Sequence, residues 1–176
     1  LVGSSTMKEE RYADNLRFFR TSEKVFESSE PIYYPDDEVT LRLISYYPYQ
    51  EEGVNMGEST MSVAVETDQN LSAGYFCSDF LVASQNLQSA PKGAIALHYD
   101  HKFFKLKIAL VGKEGEELQG ILDADPKLSV CGFYTKAIYD FQKETYSAFS
   151  NEKSITPAGK WEIQGDRSVS YTHLTL

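Results

Sequence analysis

The stretch that most constrains the fold is Ala94 to Gly112, AIALHYDHKFFKLKIALVG. Within it Phe104, Leu106, Ile108 and Leu110 fall on one side of an extended chain, and Lys105 and Lys107 on the other. Side chains two residues apart share a strand face, so this alternation predicts a half-buried β-strand. Ile95, Leu97 and Tyr99 alternate with Ala94, Ala96 and His98 in the same way, and only Asp100 to Lys102 separate the two runs. The pair is expected as a tight hairpin, or as one bent strand, at the centre of a β-sandwich. Phe104, Leu106, Ile108 and Leu110 should face inward, with the rest of the chain packed around them.

Shorter pieces repeat the pattern. Strands are expected at Asn15–Thr21, Ile32–Tyr34, Val39–Tyr47, Thr60–Glu66, Phe80–Ala83, Leu118–Leu122, Leu128–Tyr134, Lys136–Phe141 and Lys160–Ile163, with one more short strand within residues 142–154. Pro31 and Pro35 bracket the second, which suits an edge strand because proline cannot donate to a ladder. Turn signals such as Asp36-Asp37 recur every ~8–12 residues, and no run of ~12 residues carries a helical stripe. The class expected is all-β: an antiparallel two-sheet sandwich of about seven to nine strands.

A chain of 176 residues is long enough for one domain with its own core. Residues 1–13 are polar and without period and read as an N-terminal arm. Residues 14–166 make the sandwich domain, and 167–176 an extended tail, either native or appended. The tail, RSVSYTHLTL with Gln164-Gly165-Asp166 before it, has high β propensity and no partner legible in the chain. A segment of that kind most easily docks along an exposed sheet edge.

Seventeen basic and twenty-six acidic residues give a net charge of −9. That balance argues against nucleic acid, whose phosphates call for a basic face, and against an anionic membrane surface. No apolar run approaches the ~20 residues a membrane-spanning helix needs. No signal-peptide pattern stands at the start, and Leu1 in place of Met reads as a processed or trimmed terminus, which leaves export open. Cys77 and Cys131 lie in apolar settings, YFCSDF and SVCGFY, and are read as buried free thiols, with a single disulfide as the alternative. Neither has a neighbouring His or a CxxC partner, so a catalytic thiol is not expected.

His98, Asp100 and His101 resemble metal ligands superficially. Residues three apart on a continuous strand point to opposite faces, however, so the cluster reads as a polar turn. Paired carboxylates (Asp36-Asp37, Glu51-Glu52, Glu116-Glu117, Asp123 with Asp125) sit beside turn residues and read as solvated turns. No nucleophile elbow, phosphate loop, zinc-protease helix, calcium loop or dinucleotide fingerprint is present, so no catalytic residue, metal or cofactor is assigned. Asn70-Leu71-Ser72 matches a glycosylation sequon, a short pattern common by chance. The tyrosines are more informative. Tyr46, Tyr47 and Tyr49, with Tyr33 and Tyr34 nearby, offer large, stiff surfaces with polar tips, suited to a sugar or a protein. The competing reading is that alternate members fill the core and a sheet end.

Taken in order, these motifs resemble the N-terminal domain of a fimbrillin, the type V pilin and adhesin family of anaerobic Gram-negative bacteria. IYYPDDEVTLRLISYYPY (32–49) is similar to the family's aromatic-Pro stretch, strand and tyrosine-rich corner. Asp68-Gln69, and Ser78 through Ala83, resemble its DQ and SD-L-x-A elements. Leu97 through Lys102 resembles its L-x-F-x-H-K strand, and Ala137 through Asp140 a late strand entry. The match covers about residues 12–165.

The resemblance implies a transthyretin-like antiparallel sandwich, exported as a lipoprotein and assembled at the outer-membrane surface without catalysis. In such subunits an arginine-specific protease removes an N-terminal strand, and the C-terminal strand of a neighbouring subunit fills the opened groove. Arg11, Arg17 and Arg20 are candidate cut sites, and Arg11, in the polar arm, fits best. Partners would be other pilin subunits, or a copy of this chain, joined by strand addition. Family members usually carry a second β-domain, and the chain ends about where that would begin, so the donor role has no matching residues unless 168–176 supplies it. The alternative function is a surface glycan-binding sandwich that uses Tyr46, Tyr47 and Tyr49. A secreted hydrolase is disfavoured because no pair of carboxylates or nucleophile with base is legible.

Overall fold

Most of the alternating segments become strands in the computed structural model, which describes residues 2–5, 8–35, 40–55, 57–112, 118–158, 161–164 and 167–174. β1 (Val2–Ser5) and β2 (Lys8–Arg11) come first, then β3 (Phe18–Ser22), β4 (Val25–Ser28), β5 (Thr40–Tyr47), β6 (Val54–Asn55) and β7 (Thr60–Ala64). A short helix, α1 (Ser72–Cys77), precedes β8 (Leu81–Leu87), β9 (Asp100–His101) and β10 (Phe104–Val111). A second, α2 (Leu118–Asp123), precedes β11 (Tyr134–Asp140), β12 (Thr145–Glu152), β13 (Glu162–Gln164) and β14 (Arg167–Leu174). The described strand ladders are antiparallel, so the fold is all-β and of the sandwich-like class expected.

The chain divides into two compact units. One is Leu1–Met61 with Leu81–Asp100, the other Ser62–Phe80 with His101–Leu176. In the first unit β5 is the middle strand. It pairs with β1 along one edge (Gly3 opposite Leu41) and with β8 along the other (Leu87 opposite Leu41). Leu41, Met61, Val82 and Ala83 are its buried apolar side chains among those described. β3 and β4 form a separate two-stranded hairpin. The Ser29 N–H extends it by donating to the Arg17 carbonyl at 2.8 Å. Phe18, Phe19, Val25 and Phe26 on this hairpin are all exposed.

The second unit holds the larger core. β11 reads as the alternation requires: Thr135, Ala137 and Tyr139 are buried, while Tyr134, Lys136 and Ile138 are exposed. Val63 and Val65, Phe80, Phe103, Phe141, Ile155 and Leu174 complete the apolar interior. Tyr139 is its hub, with ring centroids 5.1 Å from Phe80, 5.3 Å from Phe141 and 5.1 Å from Tyr146. Edge-on packing of this kind adds to the area buried. Burial, with Tyr139 beside it, pushes the Tyr146 hydroxyl well above the ordinary tyrosine range. That hydroxyl donates to the Lys102 carbonyl at 2.6 Å.

The turn from β11 to β12 is made by one carboxylate. Asp140 Oδ1 accepts the N–H groups of Gln142 and Lys143, both at 2.9 Å, and Oδ2 accepts Lys143 Nζ at 2.8 Å. Lys143, through its side-chain bond first and its N–H second, holds the carboxyl at about 2, below its usual 3.8. A carboxyl lowered by folding contributes stability above its unfolded value, and that contribution is lost as pH falls from about 4 through about 2. Asp140→Asn should therefore flatten the dependence of the urea midpoint on pH across that interval. A pH profile parallel to the parent's would reject the assignment.

Several expectations need correction. Within the segment read as an arm, 2–5 and 8–11 are strands paired with each other, and 2–4 pair also with β5. Ile32–Tyr34 is not a strand. The ladder partner of β3 is β4, the segment before Pro31, where every residue keeps its N–H. Leu118–Leu122 is helical, not extended. Leu118, Ile121 and Leu122 recur at helical spacing and are the half-buried members, and Gln119 Nε2 donates to Asp123 Oδ1 at 2.7 Å across one turn. So short an apolar run fits either period. Ile95–Tyr99 is not part of a ladder, and β10 does not pair with it. Leu106, Ile108 and Leu110 do share a face, but it is only half-buried, and Phe104 is 56% exposed. The ring that enters the core is its neighbour Phe103. Both cysteines are free and exposed, not buried. Ser78 and Phe80, near Cys77 in sequence, take the interior positions. Val39, Lys160 and the pairs Asp36-Asp37 and Glu116-Glu117 lie outside the described residues.

Candidate functional site

Two terminal strands and one aromatic corner are the features from which an assembly or contact function can be built. At the C-terminal end, the expectation that the tail has no partner in the chain is overturned. β14 runs antiparallel to β10 from Phe104 opposite Leu174 to Val111 opposite Arg167. Its other edge pairs with β13, Glu162 opposite Val169 through Gln164 opposite Arg167. β14 is thus the middle strand of a three-stranded sheet, and it supplies Ser170, Thr172 and Leu174 to the interior of the unit. Ser170 Oγ donates to the Ala158 carbonyl at 2.7 Å, and Thr172 Oγ1 to Gln69 Oε1 at 2.9 Å.

Gln69 is the residue that sequence reasoning left without a role. It is fully buried, and its side chain is held from two directions. Its Nε2 donates to the Glu66 carbonyl at 3.2 Å and its own N–H to the Thr156 carbonyl at 2.9 Å. Thr156 N–H returns to the Thr67 carbonyl at 2.8 Å. Asp68 Oδ1 accepts the Asn70 N–H at 2.9 Å and turns the chain into α1. Ser78 at the end of α1 closes the group: its Oγ donates to the Gly74 carbonyl at 2.7 Å and accepts the Glu66 N–H at 2.8 Å. The DQ pair was a motif in the sequence, but nothing there says that its amide meets a strand a hundred residues away.

At the N-terminal end β1 and β2 are stacked in order on the free side of β5. Arg11 is the last residue of β2, opposite Val2, and Tyr12 onward leaves the ladder. The peptide bond after Arg11 therefore sits at the end of the outermost strand. Arg17 and Arg20 are engaged otherwise. The Arg17 guanidinium lies 4.9 Å from the Phe19 ring centre and 5.4 Å from that of Tyr49. Arg20 Nε donates to the Ser22 carbonyl at 3.2 Å.

The tyrosine corner follows β5. Tyr46 turns inward: its hydroxyl donates to Asn15 Oδ1 and bonds the Gln50 carbonyl at 3.2 Å, and Asn15 Nδ2 donates to the same carbonyl at 2.9 Å. Burial raises its pKa, a shift that the bond to Gln50 opposes. Tyr47 (44% exposed) and Tyr49 (37%) face solvent. Of the three predicted contact residues, then, Tyr46 is a structural tie, and Tyr47 and Tyr49 are partly exposed. In the HYDH stretch, His101 Nδ1 lies 2.7 Å from Asp79 Oδ1, while His98 and Asp100 are exposed. Among the described residues no group of three or more His, Cys, Asp or Glu side chains is placed to hold a metal. Nor does any described helix reach the length and apolarity of a membrane span.

Comparison with known proteins fits this architecture. One similar solved structure is a putative cell adhesion protein from Bacteroides uniformis, with a TM-score of 0.60 and 20% identity, covering 98% of this chain and 66% of that one. A second is a putative cell adhesion protein from Bacteroides ovatus, with a TM-score of 0.59 and 15% identity, covering 85% of this chain and 55% of that one. At such identities the likeness speaks for the fold, and this chain spans less than two thirds of either protein. No curated protein matches the sequence. The profile of the fimbrillin-like family matches residues 1–176, and the chain belongs to that family.

Proposed function

We propose that this chain is a non-catalytic structural or adhesive subunit of a cell-surface fimbria, exported to the outer membrane and assembled by β-strand addition. One observation carries the reading. The strand at each end of the chain lies against a long strand of the body, β1 on β5 and β14 on β10. Losing either strand would bare a row of backbone donors and acceptors that only another strand can satisfy. Arg11 is the processing site on this reading, since a cut after it detaches β1 and β2 together and frees the β5 edge. The partner is a second copy of this chain or another pilin subunit. The adhesion proteins of similar fold support the adhesive role.

Treatment with an arginine-specific protease tests this. The expected result is a new N-terminus at Tyr12, with concentration-dependent self-association in light scattering that the uncut chain lacks. An uncut chain, or a cut one that stays monomeric, would count against strand addition. The second reading, a glycan-binding surface, draws on the exposed Tyr47 and Tyr49 with Arg17 stacked beside Tyr49. It is favoured only if the same preparation stays monomeric and gives a glycan-array signal that Tyr47→Ala abolishes.

A further inference from the structure

We infer that Arg17 receives the carboxylate of an acidic sugar, a uronic acid borne by a surface glycan, with Phe19 and Tyr49 as its platform. The site rests on the glycan-binding reading above and gives that reading a ligand class. The Arg17 guanidinium lies over two rings, 4.9 Å from the centre of Phe19 and 5.4 Å from that of Tyr49. Among the described residues no carboxylate or carbonyl accepts from it. A ring attracts a cation through its face, yet it offers no lone pair to the N–H donors of a guanidinium. The chain has twenty-six acidic residues, and this exposed cation is set against aromatic rings instead of one of them.

The parts are held in place by their own bonds. The Arg17 carbonyl accepts the Ser29 N–H at 2.8 Å, which fixes the base of the β3–β4 hairpin. Asn15, just before Arg17, donates through Nδ2 to the Gln50 carbonyl at 2.9 Å, and the Tyr46 hydroxyl bonds the same carbonyl at 3.2 Å. Gln50 follows Tyr49, so this tie sets the spacing between the arginine segment and the tyrosine corner. Phe19 is fixed within β3, opposite Glu27 on β4. A fork positioned in advance loses little freedom when it grips a carboxylate through two parallel bonds.

A uronic acid is the carboxylate carrier that matches the surroundings. Phe19 and Tyr49 are 48% and 37% exposed, which leaves carbon surface for the C–H face of a pyranose. The Tyr49 hydroxyl, bonded to no described residue, can meet a sugar hydroxyl. An Asp or Glu side chain brings a carboxylate on a flexible stem, with neither a flat C–H face nor a hydroxyl. A dense polyanion is disfavoured by the chain's own charge of −9. The occupant is therefore a glycan with isolated uronic acids among neutral sugars.

Titration of the isotope-labelled full chain with a trisaccharide carrying one glucuronic acid tests the site, read at the Arg17 Nε–Hε resonance and the Tyr49 amide. A saturable shift is expected, with affinity about tenfold or more weaker for the methyl ester, which keeps the sugar and removes the charge. Arg17→Lys, which keeps the charge and loses the fork, should weaken binding about tenfold. Tyr49→Phe should weaken it about threefold. Equal affinity for acid and ester, or no loss in Arg17→Lys, overturns the site. So does an aspartate peptide bound as tightly as the uronide, which would make the ligand a protein. A neutral glycan whose binding Tyr47→Ala abolishes and Arg17→Lys spares keeps the glycan reading and rejects the carboxylate. No binding of either sugar in the millimolar range rejects both.

Discussion

Replacing Phe80 by alanine is expected to lower the unfolding free energy of the second unit by about 3–5 kcal/mol. Phe80 is almost fully buried. Its ring meets Phe103 at 5.5 Å and Tyr139 edge-on at 5.1 Å, and Tyr139 in turn holds Phe141 and Tyr146. Truncation removes the ring's own burial and leaves a cavity walled by Phe103, just before β10, and by Tyr139 on β11. Tyr139 is itself held by Phe141 and Tyr146, which resists closure of the gap. For a chain of this size the thermal midpoint should fall by roughly 6–20 °C. A loss under about 1 kcal/mol in urea unfolding would mean that the aromatic cluster is not the centre of this core. The exposed Phe26 is the control: Phe26→Ala should change stability by less than about 0.5 kcal/mol, because that ring is already in solvent.

A second large effect is expected from the smallest possible addition. A Cβ at Gly74 would stand 2.2 Å from the Asp68 carbonyl oxygen and 3.3 Å from its carbon. Both are backbone atoms, so no side chain can swing aside. α1 would have to back away from the segment it packs on, yet the Gly74 carbonyl is bonded to both the N–H and the Oγ of buried Ser78. Overpacking in such a place costs about 1–3 kcal/mol, sometimes more. Against it stands a gain of roughly 1 kcal/mol in helix propensity for alanine over glycine, so the site separates the two effects by sign. Gly74→Ala should destabilise, and it should loosen the neighbouring Gln69 as well, seen as faster exchange of the β14 amides. Gly120, in α2 with open space where its Cβ would be, should instead gain stability on the same change. If both substitutions stabilise, the close approach at Gly74 is not present in solution.

These expectations show how differently the two levels contribute. The patterns along 39–47, 60–66 and 136–141 were enough to predict strands there, but the face that β11 buries and its start at Tyr134 came only with the fold. Which side chains share a strand face is set by their positions in the sequence. The resemblance to fimbrillins likewise rested on residues that stand in order along the chain. Terminal segments and short apolar runs were less legible. Residues 1–13 show no period in the sequence, yet 2–5 and 8–11 pair as strands, because an edge ladder is made by backbone groups that leave no mark on composition. LQGIL satisfies two periods at once, and only its surroundings choose between them.

The candidate site divides in the same way. Arg11 and the tyrosines could be named from composition and neighbours, but the turning of Tyr46 inward onto Asn15 and Gln50 could not. Gln69 shows the limit most clearly. Its side chain bonds a carbonyl three residues away and a hydroxyl on β14, and no local preference encodes the second. The sequence by itself determined that this chain is β, roughly where its strands run and which family it joins, since period and order are properties of neighbours. Tertiary structure alone decided that β14 rather than residues 95–99 lies beside β10, and that a buried amide faces it. Pairing between distant strands depends on which edges remain open after the rest has folded.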